Sequence, residues 1–359
     1  MEQYRIDPTE GMEFGLYTLG DHILNPLDGK RLSAQERIKQ IIEMAKLAEQ
    51  AGLDVFSVGE SHQKYFVSQA HTVILSAIAQ ATKKIKLASS ATVLSVLDPV
   101  RVYEDFATID LISNGRAEII AGRGSRVGAH QLFGVDLRDY EEIFEEKLEL
   151  LMKINEEEYV TWEGNFRPPL ENMQIIPRPL EGKLPIWRAV GGPPASAIKA
   201  GAMGIPMTLT TLGGPAMNFK ASVLAYRRMA EQHGFDPNKL PLATTSLFYV
   251  AETEKEALRG MYPHLNVGFE AIRGAGYPKQ QFAQATDTRD ALMVGSREQI
   301  IEKLLYQHEL FGMQRFLAQI DFGGVPFDKL MKNIEIIGND IIPAVKKYTK
   351  QSQKDDAKE

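Results

Sequence analysis

The sequence predicts an α/β protein built as one (β/α)8 barrel, a TIM barrel, with insertions at the C-terminal face of the strands. Two observations lead to this fold class. Eight strand-like apolar runs alternate with helix-like runs along the 359 residues, and glycines or polar residues follow most of the strand-like runs. Such alternation is typical of a parallel sheet covered by helices, and a barrel closes that sheet on itself. A doubly wound open sheet is the alternative fold.

The first half of the chain contains four predicted strands, separated by helices with recognisable start and stop signals. Ser33 stands three residues before Glu36, which is the spacing of a capping box, and Gly52 is a typical helix end. Asp98 followed by Pro99 predicts another helix start. The strands are predicted at residues 13–17, 54–58, 85–94 and 116–121, with helices at 33–52, 68–82 and 98–114.

The second half resumes the alternation after an irregular segment. Residues 159–179 are predicted to form an inserted hairpin, and Ser296 with Gln299 again has capping-box spacing. Residues 254–288 contain four glycines, and we predict that this segment, called the lid segment below, covers the C-terminal ends of the strands. The remaining strands are predicted at 185–190, 205–209, 245–251 and 315–320, with the last helix at 327–337.

Composition excludes several classes of function. The formal net charge of −6 argues against a surface for nucleic acid or anionic membrane. The chain has no cysteine and no histidine spacing typical of metal ligands, so we predict neither disulfides nor a metal site. A secretory signal and a membrane span are not predicted. We expect a cytoplasmic protein whose barrel domain occupies residues 1–345, followed by a polar flexible tail at 346–359.

The most informative segment is the predicted fourth strand, which ends in Gly122-Arg123-Gly124. Its apolar run predicts a buried strand that brings an arginine to the end of the sheet. A guanidinium binds an anion through paired charge-assisted hydrogen bonds, and the flanking Gly124 lets backbone N–H groups approach the same anion. We therefore predict a pocket for a ligand that carries a phosphate. The segment lacks G-x-G-x-x-G spacing and no helix is expected behind it, so a dinucleotide loop is not predicted.

A second loop points to the same ligand. Gly191 and Gly192 lead directly into a predicted helix, whose first N–H groups carry partial positive charge, and Ser196 adds a hydroxyl donor. Taken alone, this loop could be a simple Gly-Pro turn. Because Arg123 is expected on a neighbouring strand, the two loops together predict a site that encloses a terminal phosphate.

His62 follows the second predicted strand, beside Glu60. Its functional interpretation is an acid, a base or a hydrogen-bond donor to a ring in the pocket, and the alternative is a loop histidine with a structural role. A phosphosugar lyase or isomerase on the same barrel would need a lysine or paired carboxylates at the strand ends. No lysine stands there, and Glu60 and Asp321 are the only carboxylates to consider.

Residues 89–125 resemble the central signature of the bacterial luciferase-like flavin-dependent monooxygenases. The matching elements are D-P-x-R-x-x-E at 98–104, L-x-S-x-G-R at 111–116 and the G-R-G loop. The later PIWRAVGGPPASA is similar to that family's second phosphate loop, and LMVGSREQIIEKL to the entry of its penultimate helix. The similarity extends from about residue 12 to residue 345.

The resemblance implies a dimeric barrel that binds FMN. Arg123 would bind the FMN phosphate, helped by Gly191, Gly192 and Ser196. Ser90 and Ala91 match the position where the family often has a non-proline cis peptide under the flavin ring. His62 matches the second histidine of the family's E-H-H segment.

Two residues depart from the family's pattern. Ser61 replaces the first histidine of the E-H-H segment, which assists the chemistry of the flavin in the luciferases. Pro193 replaces a polar residue of the second phosphate loop and removes one N–H donor.

The sequence as a whole thus predicts a monooxygenase that uses reduced FMN and O₂ to oxidise a small organic substrate. Reduced FMN would be a cosubstrate supplied by a separate flavin reductase, and the enzyme would be a homodimer. Two alternatives stay open: an oxidoreductase that transfers hydride with a deazaflavin, and a non-catalytic flavin-binding barrel, which the Ser61 departure suggests. The sequence does not identify the substrate.

Overall fold

Parallel strands and the helices between them make up most of the computed structural model, which describes residues 1–124 and 127–350. The strands are β1 (Glu13–Thr18), β2 (Val55–Val58), β3 (Lys86–Ser89), β4 (Thr92–Val93), β5 (Ala117–Gly122), β6 (Tyr159–Trp162), β7 (Leu170–Gln174), β8 (Ile186–Val190), β9 (Met207–Thr210), β10 (Leu242–Ala251), β11 (Met293–Ser296) and β12 (Arg315–Gln319). The helices are α1 (Ala34–Gln50), α2 (His71–Ala81), α3 (Pro99–Ser113), α4 (Val127–Phe133), α5 (Tyr140–Glu156), α6 (Pro194–Ala202), α7 (Lys220–Gln232), α8 (Glu254–Arg273), α9 (Lys279–Ala283), α10 (Arg297–Phe311), α11 (Phe327–Ile336) and α12 (Ile342–Thr349).

Eight of these strands form a closed ring. Parallel pairing runs in the order β1, β2, β3, β5, β8, β9, β10 and β12, and β12 pairs with β1 to complete it. The ring confirms the (β/α)8 barrel and excludes the open sheet, because an open sheet would leave two edge strands. The antiparallel β6–β7 hairpin lies outside the ring, as predicted. All eight strands end at one rim, where barrel enzymes build their sites.

Several local signals in the sequence are confirmed. Ser33 and Glu36 form a reciprocal capping box at the start of α1, and Asp98 accepts a hydrogen bond from the N–H of Val100 at the start of α3. Asn114 ends α3 with a left-handed φ of 61°. Because these caps satisfy the orphan N–H and C=O groups of the helix ends, the sequence defines the ends locally.

The structure differs from the predicted third strand. Residues 85–94 form two strands, since β3 ends at Ser89 and the chain resumes as β4, which pairs with β5. The peptide bond between Ser90 and Ala91 is cis, as the resemblance implied. The apolar run alone gave no sign of this break.

Two helices and one strand also differ from prediction. Helix α4 follows the Gly122–Gly124 loop, where no helix was expected. The lid segment, for which no secondary structure was predicted, is mostly helical, because Thr253 and Glu256 cap α8 and its buried stripe packs against the barrel. Its role as a lid stays a prediction. An additional strand, β11, pairs with the second half of β10. At the C-terminal end, α12 continues to Thr349, so helix replaces the first part of the predicted tail, and residues 351–359 lie outside the described residues.

A buried ionic cluster occupies the N-terminal end of the barrel. The fully buried Arg315 donates to Glu13 at 2.7 Å and to Glu118 at 2.6 Å and 3.1 Å, while Lys86 also pairs with Glu13. The Arg315 guanidinium lies 4.7 Å from the centre of the Trp187 ring. Burial alone would lower the pKa of Arg315, but Glu118 and Glu13 raise it above its ordinary value. Arg315 therefore stays protonated, and the cluster ties β1, β3, β5 and β12 together.

We expect Arg315→Met to lower the free energy of unfolding by about 3–5 kcal/mol, because it leaves the buried Glu118 without its cation and Glu13 with Lys86 alone. Urea denaturation followed by circular dichroism measures this change. Arg297→Met is the matched control, since the Arg297 side chain is 47% exposed and should change stability by less than about 0.5 kcal/mol. Equal stabilities of the two variants would contradict a structural role for the cluster.

Candidate functional site

A cavity of about 700 Å³ opens at the C-terminal ends of the barrel strands. Its wall contains seven of the eight site residues predicted from the sequence: His62, Ser90, Ala91, Arg123, Gly124, Gly191 and Gly192. The eighth, Ser196, does not line the cavity. The fold therefore brings together residues that are up to 130 positions apart in the chain (62 to 192).

Arg123 lies at the end of β5 with its guanidinium at the cavity wall. It pairs with Glu141 on α5, and its guanidinium carbon lies 6.0 Å from the centre of the Tyr140 ring. The Arg123 side chain is 31% exposed and that of Glu141 is 50% exposed. Since exposed ion pairs contribute little stability, an anion that enters the cavity could replace the Glu141 carboxylate at small cost.

The N-terminus of α6 borders the same part of the cavity. Gly191 and Gly192 follow β8, and Pro193 caps the helix without a side-chain hydrogen bond. A Cβ added at Gly191 would meet no atom closer than 3.9 Å, and one at Gly192 none closer than 3.7 Å. Neither glycine is therefore required by the packing of the protein, and their absent side chains leave the helix N-terminus open to a ligand.

Ser196 has a partner of its own inside the protein. Its hydroxyl accepts a hydrogen bond of 3.2 Å from Nε of Arg188, a buried arginine that also binds Glu145 at 2.6 Å and 2.7 Å. Burial raises the pKa of Glu145, but Arg188 and Lys199 more than offset this and lower it. A contact between Ser196 and a phosphate remains a prediction.

The loop after β2 is tied to the turn between β3 and β4. The N–H of Glu60 donates to the carbonyl of Ala91 at 3.0 Å, and the N–H of Val93 donates to the buried Glu60 carboxylate at 2.7 Å. Gly59 packs so closely that a Cβ there would collide with the carbonyl oxygen of Ser90. These contacts fix Glu60 and the Ser90–Ala91 turn relative to each other.

Glu60 in turn positions His62. Nε2 of His62 lies 2.6 Å from Oε1 of Glu60, and because a carboxylate only accepts, Nε2 must donate. The other ring nitrogen, Nδ1, is then the one left to hold or exchange a proton. The ring of Phe133 packs edge-on against the imidazole at 5.0 Å. The geometry therefore suits both the acid–base interpretation and hydrogen bonding to a ligand.

A second histidine, His71, lies behind Glu60. Its Nε2 contacts the hydroxyl of Thr92 at 2.8 Å, and its Nδ1 is 3.9 Å from the Glu60 carboxylate. Burial lowers the pKa of His71 to about 4, and it is therefore neutral at physiological pH. His71 therefore contributes no positive charge next to Glu60 under those conditions.

Asp321 is not available as a catalytic carboxylate. It accepts hydrogen bonds from Thr18 and from Arg37, and it does not line the cavity. No lysine lines the cavity in the described part of the chain, and no cluster of metal-ligating side chains is found among the same residues. The site thus lacks the groups that a phosphosugar lyase would need.

A profile of the family described as luciferase-like monooxygenase matches residues 12–314. The chain belongs to this family. An uncharacterised protein, y4vJ, of Sinorhizobium fredii is 23% identical over 95% of this chain and 100% of its own. The oxygenase component of the flavin-dependent trigonelline monooxygenase of Acinetobacter baylyi is 22% identical over 88% of this chain and 93% of its own.

Solved structures share the luciferase-like fold. The monooxygenase RslO1 of Streptomyces bottropensis superposes with a TM-score of 0.81 at 22% identity, covering 92% of this chain and 99% of its own. The oxygenating constituent of 3,6-diketocamphane monooxygenase of Pseudomonas putida, in complex with FMN, superposes with a TM-score of 0.73 at 19% identity, covering 93% of this chain and 98% of its own. An F420-dependent secondary alcohol dehydrogenase superposes with a TM-score of 0.71 at 19% identity, covering 93% of this chain and 99% of its own. These likenesses confirm the fold and leave the flavin type open.

Sequence reasoning missed several residues that line the cavity of this luciferase-like protein. Thr208, Thr245 and Gln319 lie at its floor, and Arg273 of the lid segment lies at its wall. The threonines gave no signal because threonine is common in strands for its β-propensity. Arg273 ends a helix, where basic residues are ordinary.

None of the described helices is long and apolar enough to cross a bilayer.

We expect this luciferase-like protein to lose stability as the pH falls from 7 to 5, partly through His71. The unfolded histidine takes up a proton near its ordinary pKa of 6.5, whereas the folded one does so only near 4, so the unfolded state binds more protons in between. The contribution of His71 over this range is about 2 kcal/mol. Urea denaturation at the two pH values measures it.

In the His71→Asn variant, the free energy of unfolding should fall by about 2 kcal/mol less between pH 7 and pH 5 than in the wild type. The exposed His233 provides the control, because His233→Asn should keep the wild-type slope. A wild-type slope in the His71 variant would show that His71 is not buried in its neutral form.

Proposed function

We propose that this protein is an FMN-dependent monooxygenase that uses reduced FMN and O₂ to oxidise a small organic substrate. One observation carries the proposal. Arg123 at the end of β5 and the open N-terminus of α6 after β8 border the same cavity, and β5 and β8 are neighbours in the barrel. A guanidinium and free helix N–H groups side by side form a phosphate site.

The residues of the cavity fit FMN. Its volume of about 700 Å³ falls in the range typical of cofactor sites. Beside the proposed phosphate site the wall is made of small residues, namely Ala91, Gly122 and Ala189, which leave room for a flat ring. When bound, reduced FMN would supply the electrons for the reaction with O₂.

The chain's own groups then have distinct roles in the proposal. Arg123 exchanges Glu141 for the phosphate and so anchors the cofactor. Glu60 holds the Ser90–Ala91 turn, which would contact the ring of the bound cofactor, and orients His62, whose Nε2 keeps a proton within the cavity. The apolar residues of the walls exclude water from the reacting atoms.

The reductant is proposed to come from outside the chain. The trigonelline relative is called an oxygenase component, a name that supports a separate flavin reductase as partner. Reduced FMN would then be a cosubstrate. A homodimer and a cytoplasmic location stay predictions of the sequence.

A deazaflavin-dependent hydride transfer is the second candidate. It is favoured by the similar fold of the F420-dependent dehydrogenase and by the phosphate site, which would serve either cofactor. The non-catalytic barrel keeps one supporting observation, since Ser61 donates to Gln63 at 2.7 Å where a histidine is usual in the family. Titration with FMN and with F420, followed by an O₂-uptake assay, separates the FMN-dependent monooxygenase, the deazaflavin-dependent enzyme and the non-catalytic barrel.

We expect the purified protein to bind FMN, oxidised or dithionite-reduced, and Arg123→Ala to weaken binding about 10- to 100-fold, as for the loss of a hydrogen bond to a charged group. Fluorescence titration measures oxidised FMN, and anaerobic absorbance titration measures the reduced form. Arg138→Ala is the control, because Arg138 is exposed, pairs with Asp136 and lies outside the cavity. Equal FMN affinities in wild type and Arg123→Ala would remove the basis of the proposal.

Glu141→Gln should have the opposite effect and tighten FMN binding several-fold, because it removes the carboxylate that competes for Arg123. The same titration tests this. Weaker binding would mean that Glu141 orients Arg123 for the ligand rather than competing with it.

Gly191→Ala should leave the melting temperature nearly unchanged, because the added methyl group meets no protein atom closer than 3.9 Å. FMN binding should weaken roughly tenfold, since the methyl group intrudes on the phosphate site. Thermal denaturation and FMN titration of one preparation give both values. A variant that binds FMN normally would place the phosphate away from this loop.

A further inference from the structure

The cavity has two halves of different chemistry. The half next to β3, β5 and β8 is lined by small residues and by the proposed phosphate site. The other half lies over four consecutive strands of the ring, β9, β10, β12 and β1, and these strands contribute polar side chains to its floor: Thr208, Thr210, Thr245, Gln319 and Tyr17. A flat cofactor suits the first half, which leaves the polar half for a second ligand.

Two hydroxyl groups of this floor have no partner within the described part of the chain. The side-chain oxygens of Thr208 and Thr245 are buried and make no hydrogen bond there, although the residues are only 2% and 5% exposed. Buried polar groups without partners are costly in proteins. Because both residues line the cavity, a ligand with hydrogen-bonding groups would satisfy them.

Above this floor the lid segment places a cation. Arg273, the last residue of α8, lines the cavity and forms no ion pair with any described residue. Its guanidinium carbon lies 4.4 Å from the centre of the Phe269 ring and 5.7 Å from that of Tyr277. Two backbone carbonyls, of Ala275 and Gly276, lie 3.3 Å from its nitrogens.

Arg273 belongs to the polar half and not to the phosphate site. Phe269, on which Arg273 stacks, contacts the ring of Phe322 at 5.3 Å, and Phe322 follows β12. In the ring of strands β12 lies four steps from β5, which carries Arg123, and is therefore on the opposite side of the barrel. The two arginines thus belong to different halves of the cavity.

The side chains between floor and cation are apolar. Leu19, Leu247, Phe269, Ile272 and Phe322 line this region. Of the charged side chains that line the cavity, Arg123 is paired with Glu141, and Glu60 accepts hydrogen bonds from His62 and from the N–H of Val93. Arg273 therefore supplies a positive charge that has no ionic partner among the described residues. An occupant of this half would need a polar group at the floor, an apolar body and a negative charge at the lid.

From this arrangement we infer that the substrate is an organic carboxylate with a second hydrogen-bonding group, such as an amide or ketone. The inference rests on the proposed function, in which FMN fills the other half. The carboxylate binds Arg273 through charge-assisted hydrogen bonds. The carbonyl at the far end accepts hydrogen bonds from the Thr208 and Thr245 hydroxyls.

The test compares carboxylates with their uncharged primary amides as probes. One pair is N-benzoylglycine and N-benzoylglycinamide, and an aliphatic pair is 6-oxoheptanoate and its amide. Dissociation constants are measured by saturation-transfer NMR on the full chain, with and without FMN. The variants are Arg273→Gln, Arg273→Lys and Arg259→Gln, the last being a control on the same helix with an exposed arginine outside the cavity.

We expect wild type and Arg259→Gln to bind the carboxylate of at least one pair about tenfold more tightly than its amide. Arg273→Gln should bring the ratio of carboxylate affinity to amide affinity close to one without changing the affinity for the amide. Arg273→Lys should keep part of the preference for the carboxylate. A Thr208→Val/Thr245→Val variant should weaken both members of the pair equally. Ratios near one in wild type for both pairs, or a ratio that persists in Arg273→Gln, would overturn the inference.

FMN titration of the same proteins keeps this inference apart from the proposed function. Arg273→Gln should bind FMN as wild type does, and a loss of FMN binding would assign Arg273 to the cofactor and overturn the inference. If wild type bound no FMN, the proposed function would fail. The carboxylate preference of the unloaded protein would still decide the role of Arg273.

Discussion

Closure of the eight-strand parallel ring is the constraint on which the site depends. Because the strands are parallel, all of their carboxyl ends meet at one rim, and the loops that follow them must share that surface. Arg123, His62 and Gly191 are remote in sequence and converge for this reason alone. The opposite rim holds the buried Arg315 cluster, whose charges bind one another and leave nothing for a ligand. The same residue type thus serves stability at one end of the barrel and, we propose, binding at the other.

The state of each charged group shows how it can be used. Arg315 is fully buried between two carboxylates, and removing one partner leaves uncompensated charge in a medium of low dielectric constant. Arg123 is partly exposed and has one exposed partner, so exchanging that partner for a ligand is cheap. Glu60 is intermediate: its carboxylate is buried but accepts from a backbone N–H and from His62, which satisfies it without a cation. These differences in burial and partners distinguish structural from functional charge more clearly than residue type does.

Much of the fold could be predicted from the sequence, because its signals are local. Capping residues such as Ser33 and Asp98 and the apolar runs of the strands act within a few positions of themselves. The division of residues 85–94 into two strands could not be predicted, since the Ser90–Ala91 turn is held by contacts with Gly59 and Glu60 of another loop. The sequence analysis predicted a lid segment without its helix, although the capping box of Thr253 and Glu256 that starts α8 is itself a local signal. The residues that motifs single out lie at the cavity except for Ser196, whereas nothing in the sequence around Thr208, Thr245 and Arg273 distinguishes them, and only the fold brings them to the cavity.

The central claim is that Arg123 and the N-terminus of α6 form one phosphate site at the cavity. A crystal structure of the protein with FMN tests it most directly. The account predicts density for the FMN phosphate bonded to the Arg123 guanidinium and to N–H groups at the start of α6, with Glu141 displaced and the flavin ring against Ser90 and Ala91. A phosphate bound elsewhere, with the Arg123–Glu141 pair intact, would contradict it.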